Sequence, residues 1–170
     1  MKSSDVVLNR SKAVEYALKY AEIPNVDIST EEGFWFFLED CTNFVSQCWN
    51  YAGMPQNSDW YWNNRTDYSA SWTVVNDFAN YMTYNSAMYM EDNQTVAIYK
   101  WDSNGVEPGD IIQFYNPTDG WHHSAIITKI ENGEIHYAQH TTNSADKKLS
   151  DIYPHQETQV RFICPRNAVY

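Results

Sequence analysis

The spacing of apolar residues changes near residue 95, and this change constrains the fold more than any other feature of the chain. Before it, apolar residues recur every three or four positions, as on one face of a helix. The clearest example is residues 10–22, with Ala13, Val14, Ala17, Leu18 and Ala21. Two more helices are predicted over residues 42–52, before Gly53, and over residues 73–84.

After residue 95 the chain consists of short runs rich in β-branched and aromatic residues, separated by turn signals such as SNG, PTDG and NG. The predicted strands are TVAIYKW, GDIIQFY, HSAIITKI, EIHYAQHT and QVRFICP. Helices followed by strands predict an α+β fold, with N-terminal helices packed on a C-terminal antiparallel β-sheet. No boundary signal divides the chain, so we expect a single domain over residues 1–170.

The charge of the chain argues against a nucleic-acid partner. The formal net charge is −11, whereas nucleic-acid-binding proteins carry basic surfaces. No apolar run approaches the roughly 18 residues of a membrane helix, so we expect no membrane insertion. Residues 1–20 also lack the apolar core of a signal peptide. We expect a secreted or cell-wall protein if a leader has been removed, and a cytoplasmic protein otherwise.

Aromatic residues make up 16% of the chain, and many lie in residues 58–72, SDWYWNNRTDYSASW. Aromatic side chains at this density can line a cleft for sugar or peptide chains, or they can form a small core beneath a loop. The first interpretation makes Trp60, Trp62 and Trp72 candidates for substrate binding, together with Trp121.

The three cysteines cannot all be paired in disulfides. On one helix, Cys41 and Cys48 would lie about 10 Å apart along the axis, which is too far for a disulfide bond between them. The sequence has no C-x-x-C pair of the kind that binds zinc. We therefore expect no metal and no other cofactor.

Cys41 is the cysteine whose position favours chemistry. It lies where a helix begins, and there unpaired backbone N–H groups and the helix dipole favour negative charge. This position is expected to lower the pKa of the thiol and to populate the nucleophilic thiolate. Cys48 and Cys164 lie among apolar residues and are expected to pack in the core. Asp40 is expected to cap the helix.

The turn signal Asn132-Gly133 predicts a two-residue β-hairpin. Uninterrupted pairing from this turn sets Ala125 opposite His140, and side chains alternate between the faces of a strand. His123 and His140 would then share one face, within hydrogen-bonding distance of each other. A turn one residue longer would move His140 to the opposite face.

A thiolate nucleophile requires an imidazole that takes its proton and later protonates the leaving group. We expect His123 to have this role for Cys41, with His140 orienting the ring of His123. His136 lies on the same predicted face and is the alternative orienting residue. Asn43, in the first turn of the Cys41 helix, either lines the cleft or faces solvent.

The motifs DCTNFVSQC, PGDIIQF, DGWHHSAIIT and QHTTN resemble the putative amidase domain family over about residues 10–149. The resemblance implies membership of the papain-like cysteine peptidase clan, alongside the NlpC-type and CHAP domains, and hence a papain-like fold. It also implies that Cys41 is the nucleophile, His123 the general base and acid, and His140 the third residue. One departure is that no glutamine precedes Cys41 to bind the oxyanion.

The implied activity is that of a cysteine amidase or peptidase, a hydrolase that cleaves an amide bond through a thioacyl-enzyme. The implied partner is a peptide or bacterial cell-wall peptidoglycan. The same residues would serve an acyltransferase or a deamidase. A non-catalytic glycan-binding module that uses the aromatic cleft is a third candidate, and it would have no use for Cys41 and His123.

Overall fold

The computed structural model describes residues 1–30 and 32–170 of the chain. The helices in this part of the chain are α1 (Arg10–Tyr20), α2 (Cys41–Tyr51), α3 (Ala70–Thr73) and α4 (Val75–Thr83). None of them has the length and apolar character needed to span a bilayer.

Within residues 1–30 and 32–170, the longer strands form one six-stranded sheet and the short strands form three separate pairs. The strands are β1 (Leu8–Asn9), β2 (Val26–Asp27), β3 (Glu32–Gly33), β4 (Trp62–Asn64), β5 (Asp67–Tyr68), β6 (Ala97–Lys100), β7 (Ile111–Asn116), β8 (Gly120–Glu131), β9 (Glu134–Gln139), β10 (Ser144–Lys148), β11 (Gln159–Pro165) and β12 (Ala168–Val169). The six-stranded sheet has the order β10-β9-β8-β7-β11-β6, and its neighbours are antiparallel. The predicted α+β class with an antiparallel sheet is therefore confirmed.

Each face of the six-stranded sheet carries its own apolar core, because successive side chains of a strand point to opposite faces. The sheet residues of the helix-side core, which pack with the helices, are Ala97, Ile111, Ile126, Ala138 and Ile163. The sheet residues of the far-side core are Ile112, Phe114, Ala125, Ile127, Ile135, Tyr137, Phe162 and Cys164. A sheet covered on both faces gives nearly continuous apolar runs such as those of β7 and β8.

Helix α2 is buried on all sides at its amino-terminal end, since every residue from Cys41 to Trp49 is buried. It contacts α1, α3 and β8. The indole N–H of Trp49 donates to the carbonyl of Gly109, at 2.8 Å. The helix ends just before Gly53, whose φ of 114° favours glycine. A helix with this burial is a central element of the fold rather than a surface helix with one apolar stripe.

The third predicted helix is divided in the structure. Val74 has extended backbone angles, φ −111° and ψ 132°, and separates α3 from α4. It lies in the β-branched run from Thr73 to Val75, and β-branched residues lose side-chain freedom in a helix. Apolar spacing alone therefore predicted one helix where the chain forms two.

The tryptophans of residues 58–72 lie in the helix-side core rather than in a cleft. Trp60 and Trp72 are fully buried and Trp62 is 8% exposed. The rings of Trp60 and Trp72 pack with their centroids 4.6 Å apart. The prediction that these three residues bind substrate is wrong, because their side chains fill the space between helices and strands.

The hairpin of β8 and β9 has the predicted turn but a different register beyond it. Asn132 and Gly133 both have positive φ, 52° and 79°, and Glu131 pairs with Glu134 as predicted. The register then shifts between Ile127 and Lys129, so that Ile126, rather than Ile127, pairs with Ala138.

Such a β-bulge adds one residue to one strand and shifts the register of the pairs beyond it by one residue. Residues of the two strands that would have shared a face of the sheet then lie on opposite faces. Ala125 consequently lies in the far-side core, and His140 lies on the helix side, stacked on Phe44 of α2. The predicted pairing of Ala125 with His140 is wrong for this reason.

Replacement of Cys48 by alanine tests whether this cysteine has only a packing role in the core. It is fully buried in the helix-side core, so Cys48→Ala should lower the free energy of unfolding by about 1–2 kcal/mol. Urea denaturation followed by circular dichroism measures this loss. The variant should keep its activity, and a lost activity with unchanged stability would show that Cys48 has a chemical role.

Candidate active site

The amino end of α2 is joined to the middle of β8 by hydroxyl groups. Thr42 Oγ1 and Ser124 Oγ lie 3.0 Å apart, and Ser124 Oγ accepts a hydrogen bond from Gln113 Nε2 at 3.1 Å. The backbone N–H of Ser124 also reaches the thiol of Cys41. Cys41 therefore lies beside the residue that directly follows His123 in β8.

Cys41 and His123 both line one cleft with a volume of about 770 Å³. Trp121, Gln139 and Glu157 also line it. A cleft of this size suits a substrate of several residues, since ligand pockets usually have volumes of about 300–1,000 Å³. Of the four tryptophans proposed as substrate-binding residues, Trp121 is the one at the cleft.

Gln139 is the neighbour that orients His123. His123 Nε2 lies 2.7 Å from Gln139 Oε1, and Gln139 Nε2 donates to the carbonyl of Thr142 at 2.9 Å. Because the amide nitrogen of Gln139 is used at Thr142, its oxygen faces His123 and accepts the Nε2 proton. Nδ1 of a neutral His123 is then free to accept a proton. The ring also packs on Phe114, with centroids 5.5 Å apart.

His140 has different partners from those predicted. Its Nδ1 lies 2.6 Å from Asp40 Oδ2, and its Nε2 lies 2.7 Å from the carbonyl oxygen of Tyr20. The predicted hydrogen bond between His123 and His140 is therefore wrong, because the bulge in β8 turns His140 to the helix side. The alternative residue His136 bonds to Asp146, at 2.7 Å, rather than to His123.

Asn43 lies inside the protein, contrary to its prediction as a substrate-binding residue. It is 1% exposed. Its Nδ2 donates to the carbonyl of Trp35 and to Asp40 Oδ1, and its Oδ1 accepts from Trp72 Nε1. These bonds satisfy the buried amide and make Asn43 part of the support of the site.

The backbone N–H groups at the start of α2 remain open. Asp40 occupies the N-cap position, but its side chain makes no capping hydrogen bond. The first bond of the helix runs from the N–H of Phe44 to the carbonyl of Asp40. Within residues 1–30 and 32–170, the N–H groups of Cys41 and Thr42 donate to no oxygen, and the N–H of Thr42, like that of Ser124, lies near the Cys41 thiol. They are positioned to bind an oxyanion next to the thiol.

Burial determines the charge of both reactive groups. It raises the pKa of the Cys41 thiol, although the N–H of Ser124 and the side chain of Thr42 oppose this shift. Burial likewise lowers the pKa of His123, although the Gln139 hydrogen bond opposes this. The expected lowering of the thiol pKa by the helix terminus is wrong, since desolvation is the larger effect. At neutral pH the two groups are a thiol and a neutral imidazole.

The neutral state of Cys41 in the protein without substrate can be tested by the pH dependence of its alkylation. Alkylation of Cys41 by iodoacetamide should increase with pH along a titration above 9, the ordinary pKa of the thiol, because only the thiolate reacts. Mass spectrometry of the Cys41 peptide measures the rate, with a small free thiol as the reference. A titration below pH 7 would indicate a preformed thiolate–imidazolium pair instead.

Comparison with known proteins places the chain in a family. Residues 7–163 match the putative amidase domain family. The uncharacterized protein YhbB of Bacillus subtilis (strain 168) is 28% identical over 134 residues, which are 75% of this chain and 39% of YhbB. The uncharacterized protein YjcM of the same organism is 30% identical over 139 residues, 77% of this chain and 30% of YjcM.

The chain thus spans between 30% and 39% of the length of these two relatives. No solved structure matches it significantly. The family match extends from before α1 into β11 and includes Cys41, His123 and Gln139. The chain belongs to the putative amidase domain family.

Proposed function

We propose that this protein is a cysteine-dependent amide hydrolase in which Cys41 is the nucleophile and His123 the general base. The observation that carries the proposal is the placement of both residues at one cleft, with Nδ1 of His123 left free by the hydrogen bond to Gln139. Membership of the amidase family supports the same class of reaction.

The first half of the reaction follows from the neutral resting state. The sulfur of Cys41 attacks the amide carbonyl carbon while Nδ1 of His123 accepts the thiol proton. The carbonyl oxygen becomes an oxyanion, which accepts hydrogen bonds from the N–H groups of Cys41 and Thr42. The C–N bond then breaks, the imidazolium gives its proton to the leaving nitrogen, and a thioester remains.

The second half releases the acid. Water attacks the thioester carbonyl while His123 takes one of its protons, and the same N–H groups bind the second oxyanion. The C–S bond breaks, and the departing thiolate takes the proton of the imidazolium to become a thiol again. Burial lowers the pKa of His123, so the imidazolium formed in each half-reaction is a better proton donor than an exposed one.

Peptide bonds of bacterial cell-wall peptidoglycan are the substrate class that we propose, with the protein acting outside the cell or at the wall. The support is the resemblance of the Cys41 and His123 motifs to the papain-like clan and the size of the cleft. The burial of Trp60, Trp62 and Trp72 argues against a glycan-binding module, because it removes most of the aromatic surface that such a module would use.

Removal of either reactive group should abolish hydrolysis. Cys41→Ala removes the nucleophile, and His123→Ala removes the proton acceptor and should lower the rate by at least about a hundredfold. Mass spectrometry of peptidoglycan digests identifies the new amine and carboxyl ends in the wild type. His136→Ala is the matched control, because it removes a buried imidazole that bonds to Asp146 rather than to His123.

The outcomes of that experiment separate the candidate reactions. Products that incorporate an added amine would show acyl transfer, and release of ammonia would show deamidation, with the same nucleophile in both cases. Cleavage that survives Cys41→Ala would disprove the proposed nucleophile.

Gln139 should set the pH dependence of the reaction through His123. Gln139→Glu places a carboxylate at Nε2 of His123, which stabilises the imidazolium and raises the pKa of His123. Since the neutral imidazole is the active base, the acid limb of kcat/KM should move to higher pH. Gln139→Ala leaves the ring free to rotate and should lower kcat on the order of tenfold. An unchanged acid limb in Gln139→Glu would show that Gln139 does not act on the base.

A further inference from the structure

Asp40, directly before the proposed nucleophile, is held by several groups inside the protein. Its Oδ1 accepts from the N–H of Phe37 at 3.0 Å and from Asn43 Nδ2 at 2.7 Å. Its Oδ2 contacts His140 Nδ1 at 2.6 Å, and the side chains of His140 and Asp40 are 1% and 5% exposed. The carboxylate thus bonds to the side chains of Asn43 and His140 and to the N–H of Phe37, and to none of the backbone N–H groups of the helix that it precedes.

This arrangement is unusual for an aspartate at the start of a helix. At the N-cap position, the carboxylate normally accepts hydrogen bonds from the backbone N–H groups of the first turn. Asp40 makes no such bond. Oxygens that would otherwise cap α2 are bonded to His140, Asn43 and Phe37 instead.

The imidazole ring of His140 is held in place by three neighbouring groups. Its Nε2 faces the carbonyl oxygen of Tyr20, which can only accept, so Nε2 carries a proton. Its Nδ1 faces the carboxylate of Asp40. The ring is stacked on Phe44, with centroids 4.0 Å apart. The imidazole therefore cannot rotate away from Asp40 without losing three contacts.

We infer that His140 is a positioning residue that keeps the oxyanion site open. By holding Oδ2 of Asp40 away from the backbone N–H groups at the start of α2, it leaves those of Cys41 and Thr42 free for the substrate oxygen. Without His140, Oδ2 of the carboxylate would lose its partner and turn to the N–H of Thr42, the second helical residue, which an N-cap side chain normally binds. It would then occupy the oxyanion position and repel the negative charge that develops there. The inference rests on the proposed role of Cys41.

Two small reagents separate the oxyanion site from the nucleophile. With p-nitrophenyl acetate, the sulfur of Cys41 attacks the carbonyl carbon, His123 takes the thiol proton, and an oxyanion forms. The oxyanion then expels p-nitrophenolate and leaves an acetyl thioester. Iodoacetamide instead loses iodide from a saturated carbon and forms no oxyanion. The ratio of acylation to alkylation at Cys41 therefore reports on the N–H groups, and mass spectrometry confirms the modified residue.

His140→Ala should lower this ratio at least about tenfold, because removal of one oxyanion donor costs on the order of a hundredfold or more. His140→Asn provides an N–H donor for Asp40 and should retain most of the ratio. The decisive variant is Asp40→Ala combined with His140→Ala, which removes the carboxylate that closes the site. The double variant should acylate faster than His140→Ala alone. If His140→Ala does not fold, His140→Leu takes its place in these comparisons, because leucine fills more of the space that the imidazole leaves.

If His140 only stabilises the fold, the double variant should acylate no faster than His140→Ala. A double variant that is no faster than His140→Ala, or variants that lose both reactions equally as their melting temperature falls, would overturn the inference. Alkylation of wild-type Cys41 without any acylation would also overturn it, while leaving Cys41 as a nucleophile. If neither reagent modifies wild-type Cys41, the proposed function fails first, and the inference fails with it.

Discussion

The site depends on the hydrogen bond between Thr42 and Ser124, which joins the start of α2 to β8. This contact continues a buried chain of polar groups, since Ser124 accepts from Gln113 and Gln113 accepts from Arg161. A buried polar group that loses its partner costs about 1–3 kcal/mol, so sliding the helix along the strand would break several such bonds. The network thereby fixes Cys41, next to Thr42, against the residue that follows His123.

Burial gives this site a neutral resting state. A helix terminus favours a thiolate by a limited amount, whereas removal of water from Cys41 raises its pKa and removal of water from His123 lowers the pKa of the imidazole. A preformed ion pair would need compensating contacts, and the Nε2 hydrogen bond of His123 goes to a neutral amide, Gln139, rather than to a carboxylate. The proton is therefore best transferred during attack on the substrate.

The periodic features of the sequence predicted the fold class and the position of Cys41 at the start of a helix, because a helix and a strand with a buried face each have their own spacing of apolar residues. The register of β8 and β9 could not be predicted. The turn at Asn132-Gly133 sets only the first pairs, and the bulge near Thr128 has no signal of its own in the sequence. Composition likewise could not distinguish aromatic residues that line a cleft from those, such as Trp60, that fill a core.

The bulge matters for chemistry because Gln139 and His140 are neighbours in the chain and turn to opposite sides. Gln139 orients the imidazole of His123, while His140 holds Asp40 at the start of α2. An uninterrupted hairpin would exchange the two, placing an imidazole against His123 and an amide against Asp40. An imidazole at His123 could itself take up a proton and repel the imidazolium, whereas the amide oxygen accepts a hydrogen bond without titrating. The bulge thus places the amide, which does not titrate, against His123 and the imidazole of His140 against the buried carboxylate of Asp40.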